Sequence, residues 1–482
     1  MQQLSSDDGF FLAVDMPHAP QHIAGLNIYD PSTSPNKFVR FKEILNTFES
    51  RLDRSKIFRR KLTNMPLSLD QPFWVDDQDF DLEYHIRHIA LPKPGDWRQL
   101  CIQVARLHSR HLDHSRPLWE VYVIEGLDNV EGLPPGCFAT YTKLHHACVD
   151  GMGAAEIQIA VHDFEADPAN LDDEAKVRVI EAAPSPLSML LESAKNAHKR
   201  NMDLGRLAGE AVKRNKRVKD FEANFGPEPK DGDKPLTVFD QPVSGNVVFS
   251  GIDFPLQEFK NIRKAVEGAS INDVAASIVS IALRNYLEQR GETLNSTLRA
   301  MMPVSLRSSV EAQAGGNSIA NLQVPIHTDV TDALTVLGLV QESTARAKAY
   351  RENVGEDLLH SLTKYIPPVL QKTLAKASSV GAKMGNSAMN FNTTVTNVPG
   401  PQFPLYMTGA KMIKTYGVGM VQDGMGLFNI VTSYNGMLNI TVTACREQMP
   451  DPHIYRDCLV AAFEELSAAA KAVAAEKAAA TA

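Results

Sequence analysis

The sequence predicts an α/β protein built from two mixed-sheet lobes joined by a helical linker. Two observations carry this. Short strand-like runs alternate with helical stretches both before residue 167 and after residue 236, and a polar, proline-punctuated segment lies between them. A chain of 482 residues is also too long for one ordinary core. The reading places the first lobe at 1–182, the linker at 183–235 and the second lobe at 236–482.

In the first lobe PNKFVRFKEILNTFESRL (35–52) reads as a helix, whereas LWEVYVIEGL (118–127) and CFATYTKL (137–144) read as strands. After Asp150-Gly151 a helix is expected to bury Ala154, Ile157, Val161 and Phe164. The linker carries HKRNMDLGRLAGEAVKRNKRVKD (198–220), in which Leu204, Leu207, Ala211 and Val218 recur at helical spacing among eight basic side chains. It reads as a solvated linker helix or as a contact with a membrane or lipid-droplet surface. In the second lobe SINDVAASIVSIALRNYLEQRG (270–291) is a buried helix with Ser270 as N-cap and Gly291 as its stop. VVFSGIDF, LRAMMPVSL, FNTTVTNVP, FNIVTSYNG and LNITVTACR are strands, and the alanine-rich tail is a helix end.

Composition excludes several classes. A net charge of -8 argues against a general nucleic-acid binder. The five scattered cysteines form no CxxC pair, so neither a disulfide framework nor a cysteine zinc site is expected, and a reducing cytosol fits. The acidic start MQQLSSDDGF and the lack of a long apolar run argue against export and membrane spanning.

The candidate chemistry lies in TKLHHACVDG (142–151). Adjacent strand side chains point to opposite faces, so one histidine of the pair is expected to react and the other to support it. A histidine at a strand end suits general-base work, because its ordinary pKa lies near neutrality. Asp150 can orient an imidazole or pair with an arginine such as Arg116, and Gly151 permits a tight turn. Cys148 reads as a buried thiol or a nucleophile. No zinc motif or GxSxG elbow accompanies the pair, and a structural His-Asp turn competes with the catalytic reading.

HHACVDG matches the HHxxxDG signature of the CoA-dependent acyltransferase superfamily. Together with RPLWEVYVIEGL, SINDV, MPVSLR, GGN, TNVPGP and LSSDDGFFLAVDMPHAPQHIAGL, all in order, the chain resembles the bacterial wax ester synthase/diacylglycerol acyltransferases from residue 4 to about 465. The resemblance implies two chloramphenicol-acetyltransferase-like lobes. It also implies transfer of a fatty acyl group from acyl-CoA to diacylglycerol or a long-chain alcohol, without metal, cofactor or acyl-enzyme.

On this resemblance His146 is the general base, while His145, Asp150 and Gly151 shape the site. Asn272 resembles a motif asparagine that hydrogen-bonds the thioester oxygen or substrate, or else caps its helix; Asp273 reads as structural. Asn397, with Pro399, Gly400 and Pro401, ends a strand in a rigid turn that resembles one near substrate. Trp119 reads as a core anchor. Where relatives carry an SGxRR-like stretch, SGNVVFSG (244–251) has neither arginine, which removes any CoA phosphate contact made through them. EDLLHSLTKYIPPVLQKTLAKASSVG (356–381) reads as a helix pair broken at its prolines, or as the border of an apolar surface. Long apolar substrates without a membrane span imply a cytoplasmic protein attached peripherally to the inner membrane or lipid inclusions.

Overall fold

A computed structural model describes residues 2–148, 153–167, 184–227, 234–305, 319–355, 362, 365–384 and 389–481. Among these the strands are β1 (Gln2–Gln3), β2 (His22–Asp30), β3 (Arg60–Thr63), β4 (Phe73–Asp76), β5 (Ile86–Ala90), β6 (Trp119–Glu125), β7 (Phe138–His145), β8 (Val247–Pro255), β9 (Arg299–Ser305), β10 (Ile319–Pro325), β11 (Thr393–Pro399), β12 (Tyr406–Met407), β13 (Ala410–Val418), β14 (Leu427–Tyr434) and β15 (Met437–Cys445). The chain divides into two compact units. One is Met1–Ala208, Leu358–Ala377 and Phe403–Met420; the other is Gly209–Asp357, Ser378–Gln402 and Val421–Ala482.

The first unit holds a six-stranded mixed sheet in the order β12-β13-β2-β7-β6-β5, beside a small β1-β4-β3 sheet. Only β5 and β6 run parallel within the larger sheet. The helix Trp97–His108 starts at Asp96, whose side chain accepts the Gln99 N–H at 2.8 Å, and buries Leu100, Val104 and Leu107 along one face. Trp119 is the expected anchor: it is fully buried, and its indole N–H donates to the Phe58 carbonyl at 3.0 Å.

The second unit holds a six-stranded sheet in the order β10-β9-β11-β14-β15-β8, in which β11 runs parallel to both neighbours. Against it lies the helix Ile271–Gln289, buried on nearly all sides because the helices Ala333–Val354 and Pro452–Thr481 cover it. Ser270 is its N-cap, in a reciprocal capping box with Asp273. The alanine-rich tail continues the final helix, which buries Leu459, Ala462, Leu466 and Ala470.

The structure corrects several expectations. Residues 403–420 fall in the first unit, not in a second lobe running from 236 to 482. Their strand β13 buries Ala410, Met412, Tyr416 and Val418 and pairs antiparallel with β2, which would otherwise be an edge. The linker is one helix, Pro186–Phe225, divided between the units at Ala208 instead of standing apart as 183–235. Its expected stripe, Leu204, Leu207, Ala211 and Val218, is half-buried, and Met189 and Phe221 are buried toward its ends.

The helix expected over 35–52 begins at Phe41, because Arg40 is extended and its N–H is taken by the Glu43 carboxylate at 2.7 Å. The helix Gly153–Val161 buries Ile157 and Val161, but Phe164 lies beyond its end and is exposed against Phe403. The helix Pro368–Lys383 starts at the second proline of the 356–381 segment; most of the preceding half lies outside the described residues.

Candidate active site

β7 runs antiparallel to β2 until His145, opposite His22. There the ladder ends: the His145 N–H donates to the Leu118 carbonyl at 3.0 Å and the His146 N–H to the Gln21 carbonyl at 2.9 Å. His146–Cys148 then form a single 3₁₀ turn. The strand ends between the two histidines, and their rings go to different surroundings, as alternation required.

His145 points into the protein and is only 1 % exposed. Its ring meets His114 edge-on at 5.3 Å, and its Nε2 lies 3.6 Å from the Asp15 carboxylate. Burial pushes its pKa down, opposed by Asp15. Asp15 itself is held well below the usual carboxylate range: burial opposes ionisation, but hydrogen bonds from His114 and His145 outweigh it.

His146 keeps part of its surface open. Its ring stacks on Phe11 from the helix Ser6–Val14, with centroids 3.7 Å apart and planes inclined by 23°. Its Nδ1 is buried. Burial, with a smaller contribution from His145, lowers its pKa to about 4. At neutral pH the imidazole is therefore uncharged and able to accept a proton.

Asp150 and Gly151 lie outside the described residues. Arg116 donates to the Asp79 carbonyl at 3.3 Å and sits over the Tyr84 ring at 4.4 Å. Cys148 is buried, and burial together with the charge of Asp8 drives its thiol far above its ordinary pKa and removes the thiolate a nucleophile needs.

In the second unit Asn272 and Asn397 come together, the Asn397 amide donating to the Asn272 side-chain carbonyl. Ser270 takes the capping role, which frees Asn272; its NH₂ group remains as a donor. The pair lines a small cavity with Ala275, Met302, Pro303, Val395 and Val431. Asp273 is structural, accepting from Ser270 and from the Thr344 hydroxyl at 2.6 Å. Gly400 follows β11, where its N–H donates to the Ser433 carbonyl at 2.9 Å and an added Cβ would lie 2.4 Å from that oxygen; the chain bends two residues later, at Gln402 and Phe403. Val247 and Val248, where the resemblance leads one to expect arginines, are buried in β8.

Sequence reasoning missed Phe11, Asp15, Gln21 and His114 as parts of the site. Only Phe11, Asp15 and Gln21 fell within a quoted motif, and nothing in its spacing tied them to residues more than a hundred positions away.

The starter condensation domain of rhizomide synthetase aligns over 98 % of this chain and 94 % of its own with a TM-score of 0.53, at 13 % identity, which shows a common fold. The wax ester synthase/diacylglycerol acyltransferase from Marinobacter aquaeolei VT8 aligns over 98 % of this chain and 100 % of its own, with a TM-score of 0.67 and 25 % identity. Fold and histidine turn together define an acyltransferase of the two-lobed, CoA-dependent class.

The profile of the wax ester synthase/diacylglycerol acyltransferase catalytic domain matches residues 4–275, and that of the WS/DGAT C-terminal domain matches 315–467. The chain belongs to this family. It is 29 % identical to the O-acyltransferase WSD of Acinetobacter baylyi over 93 % of each chain. It is equally similar to the probable diacylglycerol O-acyltransferase tgs2 of Mycobacterium tuberculosis, over 95 % of this chain and 96 % of that one.

Proposed function

We propose that the protein moves a long-chain fatty acyl group from acyl-CoA to the hydroxyl of diacylglycerol or a long-chain fatty alcohol, with His146 as general base. Family membership supports the acyl transfer, and one observation supports the base: His146 follows β7 as a partly open imidazole, stacked on Phe11 and kept uncharged by burial. With Nδ1 buried, Nε2 takes the proton.

The acceptor O–H gives its proton to Nε2 as its oxygen bonds to the thioester carbonyl carbon. The tetrahedral intermediate then expels CoA thiolate, which recovers the proton from the imidazolium. Ester and free CoA result, and no step calls for a metal, cofactor or acyl-enzyme. Asn272, steadied by Asn397, keeps an NH₂ donor beside the small cavity of the second unit.

Incubation with palmitoyl-CoA and either hexadecanol or diacylglycerol, with separation of the lipid products, tests this. Wax ester or triacylglycerol is expected, and formation of neither overturns the substrate reading.

Among the described residues no helix is long and apolar enough to cross a membrane. Peripheral attachment to a membrane or lipid inclusion is supported by the helix Pro186–Phe225, which exposes Leu187, Leu191 and Val212 beside Lys199, Lys213 and Lys216. Sedimentation with anionic vesicles that weakens with salt is expected; no binding at low salt overturns it.

A further inference from the structure

The His146 peptide is held on both sides, and both holds lead to Asp15. On one side the Gln21 N–H donates to the Asp15 Oδ1 at 2.9 Å, and the Gln21 carbonyl accepts the His146 N–H at 2.9 Å. On the other side the Ala147 N–H donates to the His145 Nδ1 at 3.1 Å, and the His145 Nε2 faces the Asp15 Oδ2 at 3.6 Å. The four links close a ring around the residue between His145 and Ala147.

The tautomer of His145 follows. An Nδ1 that accepts from Ala147 carries no proton, so the proton of the neutral ring sits on Nε2, toward the carboxylate. The other tautomer would set two N–H groups against each other. Asp15, its side chain 7 % exposed, gains further support from His114 Nε2 at 3.1 Å.

We infer that Asp15 is a positioning residue for the acyl transfer: through His145 and Gln21 it fixes the turn that presents His146. This rests on the reading of His146 as the base. Asp15 touches neither His146 nor any reacting atom in this arrangement; it acts through two intermediaries.

Asp15, His114 and His145 also place one donor atom each within 4.8 Å of one another, a spacing that a tetrahedral cation would fit. A cation on the His145 Nε2 would require the proton on Nδ1, against the Ala147 N–H. The Ala147 hydrogen bond to Nδ1 and a cation on Nε2 are therefore exclusive.

The test compares wild type with Asp15→Ala, Asp15→Glu, His146→Ala and the double variant Asp15→Ala/His146→Ala, each checked for native circular dichroism. Asp15→Ala is expected to lower kcat by about 10- to 100-fold with KM for acyl-CoA nearly unchanged. Asp15→Glu should recover part of that loss. On the His146→Ala background removal of Asp15 should cost nothing further, because the base it positions is already gone.

An undiminished kcat in folded Asp15→Ala, or a further full loss in the double variant, overturns the positioning role. If His146→Ala alone keeps wild-type kcat, the general-base reading fails instead. Histidine-selective ¹⁵N spectra should show His145 protonated on Nε2 in the wild type; an Nδ1-protonated ring overturns the link through Ala147 and Asp15. Activity lost to EDTA and restored by Zn²⁺ would likewise overturn it in favour of a cation.

Discussion

The two units solve the problem of a large sheet in different ways. The second covers its sheet with apolar helices: Leu283, Leu287, Leu337, Leu459 and Leu466 all belong to one continuous core, and Tyr286 and Tyr455 pack edge-on within it. The first buries charge and titratable groups beside its sheet. Lys143 is fully buried, 3.4 Å from Glu120, and donates to the carbonyls of Leu107 and Arg110. Among the described residues the histidines held below their ordinary pKa, namely His22, His85, His108, His145, His146 and His162, all lie in the first unit. A buried polar network specifies geometry at some cost in stability, whereas an apolar core gives stability with less demand on orientation. Reaction chemistry belongs where orientation is specified.

The contrast breaks most visibly at His146. His146→Ala is expected to lower kcat by about 10²- to 10⁴-fold, the usual contribution of a general base, while leaving thermal unfolding close to wild type. Steady-state kinetics and calorimetry on the same preparation check both halves.

Acid separates the units next. A histidine whose folded pKa lies below its unfolded value binds its proton more readily when unfolded, so it favours folding above the unfolded pKa of 6.5 and withdraws that support as pH falls. The window runs from about 6.5 down to about 4 for His146 and His162, and to about 3 for His108. All three tryptophans, Trp74, Trp97 and Trp119, lie in the first unit, so tryptophan fluorescence, excited apart from tyrosine, reports on it alone. On acidification the fluorescence change should precede loss of the helical circular dichroism signal. Coincident transitions would mean that the two units unfold together.

The smallest effect belongs to the second unit. Ser270→Ala removes one cap from a helix that is otherwise held by packing, and should cost about 1 kcal/mol in denaturant unfolding with kcat unaltered. A large loss of activity would mean that the cap orients Asn272, two residues on.

What could be read in advance divides along the same line. Ser270, Gly291, Trp119 and the strand pattern were legible because each reports on its own neighbourhood: a cap, a stop, an anchor, a period of two. The choice of His146 came from resemblance; alternation alone said only that one histidine reacts. Asp15 was illegible because its partners His114 and His145 lie far along the chain, and a carboxylate after a helix looks like any surface turn. The residues of β13 were not read as a strand, and were assigned to the second lobe, for a related reason. AKMIKTYGV has the alternation of any half-buried strand, and nothing in the sequence says whose edge it will meet.

That strand has a consequence for how the molecule is made. The residues that flank the histidine turn have been synthesised by residue 161, but the partner that closes β2 is Ala410–Val418. For some 250 residues of synthesis the edge of the first sheet stays unpaired and open to another chain. A fragment ending in the linker helix keeps both histidines but never receives its last two strands, so the histidine turn and the N-terminal half of the chain cannot be treated as a separable module.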